Sequence, residues 1–116
     1  MSEAGTTLIV VRDDPALSRR PAEALRIAVG LRVGESSVEI VLLGLAARCL
    51  AEDVSGFADA ELLETHRRAL ARSGQFFLAE EGALRAHPPG PGFRAEPLGA
   101  GELAARLAAA ARHILF

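Results

Sequence analysis

Few residues in this 116-residue sequence have side chains suited to covalent chemistry, and each can be weighed on its own. Cys49 is the single thiol. With Arg48 beside it, or the field of a helix N-terminus behind it, its pKa would fall and it could accept sulfur as a nucleophile. The same residue type also serves as a small buried apolar filler, and the sequence leaves both uses open. Glu80 and Glu81 are adjacent acids that follow an apolar run and could hold a metal or a basic ligand, or simply open a solvated turn. His87 comes six or seven residues later across a chain rich in Pro and Gly, which is not a recognised ligand spacing, so no metal and no cofactor are expected. Arg12, Asp13 and Asp14 end the first apolar run, with Ser18 and Arg19 shortly after. Backbone N–H groups at a helix start favour anions, and Arg12 and Arg19 could hold a phosphate or carboxylate, which would make a small anion or nucleotide binder. Asp13 and Asp14 oppose that charge, and the glycine pattern of a phosphate loop is absent. His66, His87 and His113 stand apart, and no Ser, His and acid spacing of a hydrolase is present. The balance leans away from an enzyme, with Cys49 the alternative catalytic residue.

The elements that must position these side chains are bounded first by composition. Half of the residues are hydrophobic and only 4% are aromatic, so the core must be built from Leu, Val, Ile and Ala. A chain of this length makes one domain, residues 1–116, with enough apolar material for a core without staples. All 13 basic residues are Arg, interspersed with acids to a net charge of -2. There is no basic patch and no Tyr or Trp on which bases could stack, so nucleic acid is not an expected partner. One Cys excludes an internal disulfide framework and a structural zinc site, which points to a cytoplasmic protein. Residues 1–5 are polar rather than a charged lead into an apolar stretch, and no apolar run approaches the roughly 20 residues of a membrane span.

Hydrophobic periodicity places the elements. Residues 6–11 form a β-branched run that reads as a buried first strand and stops at the turn chemistry of Arg12-Asp13-Asp14-Pro15. Ser18 is placed to cap a helix with Pro21 in its first turn and Gly34 at its end. Residues 38–43 are apolar on both faces apart from Glu39, which argues for a parallel sheet covered on both sides, and the run ends at Gly44. A short helical turn over residues 45–53 carries Cys49. Asp59 then caps a helix whose stripe is Leu62, Leu63, His66, Ala69 and Leu70, with Glu64 and Arg68 paired opposite. Residues 75–79 read as a third strand. Residues 80–92 read as a long loop, functional or mobile. Residues 93–98 read as a fourth strand confined to an edge by Pro97. An Ala-rich helix over residues 101–111, anchored by Leu103 and Leu107 with Glu102 and Arg106 paired, leads to a last strand at 113–116. Strands alternating with helices predict an α/β domain, three layers deep, with a parallel sheet of about five strands.

In Leu8-Ile-Val-Val-Arg-Asp-Asp-Pro, Ala22-Glu-Ala-Leu-Arg-Ile-Ala-Val-Gly-Leu, Val38-Glu-Ile-Val-Leu-Leu-Gly44, Gly74-Gln-Phe-Phe-Leu-Ala79 and the closing Arg112-His-Ile-Leu-Phe116, the sequence resembles the DsrE/DsrF-like family. These are small sulfur-relay proteins that include the Tus proteins of tRNA thiolation. The resemblance implies a sheet ordered 4-3-2-1-5, assembly into trimers or larger homo-oligomers, and a sulfur-relay protein as partner. It also implies a persulfide-carrying Cys just after the third strand. Residues 78–85 of this chain contain no Cys, so the resemblance is to a member lacking that thiol. The function it suggests is a non-catalytic binding or structural subunit that works at the strand ends. A sulfurtransferase or persulfide carrier using Cys49 is the alternative.

Overall fold

The computed structural model describes residues 5–116; the polar opening residues 1–4 lie outside it, and with them most of the segment read above for targeting. Ten elements follow in order: β1 Thr6–Val11, α1 Arg20–Val33, β2 Ser37–Leu42, a 3-10 helix Gly44–Leu50, α2 Ala60–Arg72, β3 Phe77–Glu80, α3 Glu81–Ala86, β4 Ala95–Leu98, α4 Glu102–Ala109 and β5 Arg112–Leu115. The five strands pair in the order β4-β3-β2-β1-β5, and every pairing is parallel. The expected fold class, a three-layer α/β/α domain, is therefore the one observed.

The layers follow from the strand period of two. Ile9 and Val11 of β1, Ile40 and Leu42 of β2, and Phe77 and Ala79 of β3 point to one face, where they meet Ala24, Leu25 and Ala28 of α1, Leu63 and Leu70 of α2, and Cys49 and Leu50. Leu8, Val10, Val41, Leu78 and Leu98 point to the other face and pack on Leu103 and Leu107 of α4. The two central strands are apolar on both sides because both sides are covered. α4 covers its face thinly, since none of its own residues is buried.

The two borders of the sheet differ. β4 holds Pro97, as its edge position allows, and Glu96 there pairs with Arg94. β5 is exposed along its whole length, with Ile114 at 36% and Leu115 at 46%. Arg20 donates a guanidinium hydrogen bond to the Leu115 carbonyl at 2.9 Å and lies over the Phe116 ring.

Several local expectations need correction. The stretch from Glu80 to Gly92 is not a continuous loop, because Glu81–Ala86 forms the short helix α3. α1 starts at Arg20 rather than directly after Ser18, although the Ser18 Oγ still accepts the Arg20 N–H at 3.1 Å. Asp59 precedes α2 but has a left-handed backbone with φ of 53° and makes no side-chain cap; its carboxylate faces Arg19 instead. His66 is only half-buried and its Nδ1 pairs with the Leu62 carbonyl, whereas the buried position of that stripe belongs to Arg67.

Gly90 marks a close backbone crossing. Its N–H donates to the Leu50 carbonyl at 2.7 Å, and a Cβ placed there would stand 2.6 Å from the Glu52 Cα. Gly90→Ala is expected to lower the unfolding free energy by about 1–3 kcal/mol, since backbone rather than a mobile side chain must move. Urea denaturation showing a change below about 0.5 kcal/mol would contradict this crossing.

Candidate functional site

In an open parallel sheet the carboxyl ends of the strands form a natural crevice, because the connecting segments diverge there. Here that rim is made by the turns after β1 and β2, by the end of β3 and by the segment after β4. Leu43 enters it extended, with its N–H on the Val11 carbonyl at 2.9 Å, and Gly44 then turns with φ of 55°, a left-handed conformation that suits glycine. Glu80, the last residue of β3, reaches across the gap, and its Oε1 accepts the Gly44 N–H at 2.7 Å. Two of the expected site residues, Gly44 and Glu80, are thus joined directly.

Two clefts share Glu80 as a lining residue. One, of about 310 Å³, is lined by Gly44, Leu45, Glu80, Gly82, Ala83 and His87 among others. The second, of about 330 Å³, has Leu43, Glu80, Glu81, Leu98, Ala100 and Leu103 among its walls. Glu81 is exposed in the first turn of α3 and does not share the Gly44 contact, so the two acids separate as their different strand and helix positions require. Neither cleft includes Arg12, Asp13, Ser18 or Arg19.

Those four residues gather around the start of α1. The Asp13 Oδ2 accepts the Ser18 hydroxyl at 2.8 Å and lies 3.6 Å from the Arg20 Nε. Arg19 faces Asp59 at 3.6 Å and is largely solvated, and Arg12 is exposed. The Arg12 and Asp13 N–H groups both donate to the Phe116 carbonyl, at 2.8 and 3.3 Å. Asp14, in turn, holds Arg48 through both carboxylate oxygens at 3.1 Å.

That last contact bears on Cys49. Arg48, the expected activator of the thiol, turns to Asp14 and stacks 5.0 Å from the Phe57 ring centroid. Cys49 itself is fully buried, at 0% exposure, among the α1 and α2 side of the core. Desolvation pushes its thiol up to about 12, with Arg67 too weak an opposing influence to offset it. A thiol in that state is neither ionised nor reachable near neutral pH.

The residue that the sequence reading missed is Arg67. It is 1% exposed, yet fully engaged. Its Nη1 donates to the carbonyls of Cys49 at 3.1 Å and Ala51 at 2.5 Å, and its Nε donates to the Glu64 Oε1 at 2.6 Å. The Phe93 ring lies 4.5 Å from both the Arg67 and the Arg68 guanidinium. Arg68 also bonds Glu64 at 2.9 Å, and this contact, with that of Arg67, holds the Glu64 carboxyl below its ordinary value. α2 therefore clamps the end of the 3-10 helix that carries Leu45, a wall of the rim, and the segment that follows α3. Only the Glu64–Arg68 spacing was visible as a signal; the carbonyl partners of Arg67 leave none.

Among the described residues, no group of three or more His, Cys, Asp or Glu could hold a metal ion, and no helix is long and apolar enough to cross a membrane. No model of a known protein family matches the chain, and no curated protein matches its sequence. Among solved structures, it is similar to the crystal structure of the YchN protein from E. coli, with a TM-score of 0.71 and 17% identity. The match covers 97% of this chain and 99% of that one. At such identity the likeness carries the fold alone, and the strand order of this chain is the one expected from the resemblance.

Proposed function

We propose that this protein is a DsrE-like subunit without a sulfur-carrying thiol, which binds non-covalently at the strand ends and works inside a cytoplasmic homo-oligomer, in contact with a sulfur-relay partner. The observation that carries this reading is the rim itself: at the end of β3, next to where the resemblance implies a persulfide carrier, stands Glu80, tied to the Gly44 amide. A carboxylate cannot bear sulfane sulfur, and the single thiol is sealed on the far side of the 3-10 helix from solvent. The walls of the rim, Leu43, Leu45, Leu98 and Leu103 with short residues between, suit the shape of a partner segment or a small apolar ligand better than covalent chemistry. The exposed β5 border, with Ile114 and Leu115 on it, and the thin α4 layer support assembly, because apolar surface left uncovered on a domain is commonly buried by a partner.

The sulfurtransferase alternative requires Cys49 to reach a donor. Incubation of the native protein with a persulfide donor is expected to leave Cys49 without added sulfur by mass spectrometry, while the unfolded chain takes it up. A one-sulfur increment on Cys49 of the folded protein would replace the binding reading by the carrier one. The anion-binding alternative gains no support from the Asp13 and Asp59 carboxylates that stand beside Ser18 and Arg19, where they oppose a second negative charge.

A further inference from the structure

Glu80 belongs to both clefts of the rim, with Leu45, Ala83 and His87 on one side and Leu43, Leu98 and Leu103 on the other. Gly82 is the other residue common to both, and it has no side chain to stand between them. The Glu80 side chain, which both spaces share, is stretched from the end of β3 to the Gly44 N–H at 2.7 Å. We infer that the two clefts are halves of one groove and that Glu80 is a bar across it, so that withdrawal of its carboxylate from Gly44 joins them and admits a ligand longer than either half. This regulates the site proposed above and rests on that reading. The bar can open because it is held by a single hydrogen bond at an exposed position, where water takes up both the carboxylate and the amide once they part. The space beside its acceptor end is open, since a Cβ at Gly44 would meet nothing within 4 Å. Apart from His87 and the acids, the walls on both sides are Leu, Ala and Gly, and the carboxylates of Glu80 and Glu81 remain at the rim, so the groove suits an extended, uncharged apolar chain better than an anionic one.

The test uses the full chain, with 1-hexanol as the probe and hexanoate as its anionic counterpart, followed through backbone amide resonances. In the wild type, the amides of residues 44–45, 83 and 98–103 are expected to shift together along one binding curve, and the Gly44 amide to lose its hydrogen-bonded shift at saturation. Glu80→Ala should bind hexanol about fivefold more tightly, the worth of one net hydrogen bond that no longer has to be broken. Glu80→Gln, whose amide oxygen can still accept from Gly44, should stay within about twofold of the wild type on the same scale. Hexanoate should bind more weakly than hexanol. Separate curves for the two halves, a Gly44 amide unmoved at saturation, absence of hexanol binding in all three proteins, or Glu80→Gln behaving like Glu80→Ala would each overturn the bar. None of these results bears on whether Cys49 accepts sulfur, so the persulfide experiment judges the functional reading separately.

Discussion

Arg67→Met is expected to lower the unfolding free energy by about 3–5 kcal/mol, the range for removing one member of a buried, hydrogen-bonded charge arrangement. The reason lies in what the guanidinium does rather than in its charge alone. Arg67 gathers the carbonyls of Cys49 and Ala51, which end the 3-10 helix and have no further helical turn to accept from. With Met in its place the volume is largely kept, but both carbonyls stay buried without a donor and Glu64 keeps only Arg68. Arg67→Lys should recover little, because a single ammonium cannot span two carbonyls and Glu64 in one plane or stack on Phe93 in the same way. A midpoint drop of about 10–20 °C in calorimetry is the corresponding signature for a chain of this size. A loss under about 1 kcal/mol for the Met variant would mean that the carbonyls find water and that the clamp is dispensable.

Alkali should expose the second large effect, which belongs to Cys49. In the unfolded chain its thiol ionises near 9, whereas burial pushes the folded value up to about 12. Between these values unfolding releases a proton. The stability that is fully present below pH 9 is therefore lost as pH rises toward 12, with a slope of about 1.4 kcal/mol per pH unit. The sequence makes this reading unusually clean, because it has no Lys and no Tyr, the other side chains that would titrate in that window. Cys49→Ala should flatten the alkaline limb of a stability profile measured by denaturation at fixed pH. At pH 8 the same burial leaves about a thousandth of the ordinary thiolate, so alkylation of the native protein should proceed only through unfolding. Parallel alkaline limbs for the wild type and Cys49→Ala, or rapid alkylation without denaturant, would place the sulfur within reach of solvent.

Much of the architecture is readable in the residues themselves. Runs such as Leu8 to Val11 and Ile40 to Leu42 are apolar on both faces, and only a sheet covered on both sides asks for that. Pro97 announced an edge, and β4 is one. Gly44 and Glu80 were both expected at the strand ends, where they meet. The misses share a cause, which is that the deciding partner is either distant in the chain or belongs to the backbone. α3 is six residues long and contains Gly82, too short to display a period. Arg67 looked like one more surface charge on an amphipathic helix, because peptide carbonyls 15 or more residues away carry no side-chain signature. Whether Cys49 was filler or nucleophile depended on how α1, α2 and the 3-10 helix close around it, and on Arg48 preferring Asp14. Asp59 has the right side chain for a cap, but the left-handed backbone turns it elsewhere.

The inequality of the two sheet borders limits how copies can add to one another. At β4, Pro97 contributes no amide hydrogen and the neighbouring charges are spent on each other, so that side is closed to an incoming strand. Any growth must start from β5, where a newcomer has only to push Arg20 off the Leu115 carbonyl. If two chains meet there, each has consumed its one receptive margin, and no further strand can join the sheet of that pair, which leaves any larger assembly to other faces. Lateral polymerisation is thereby stopped after a single step, a safeguard against fibrils built into a molecule that leaves a strand uncovered.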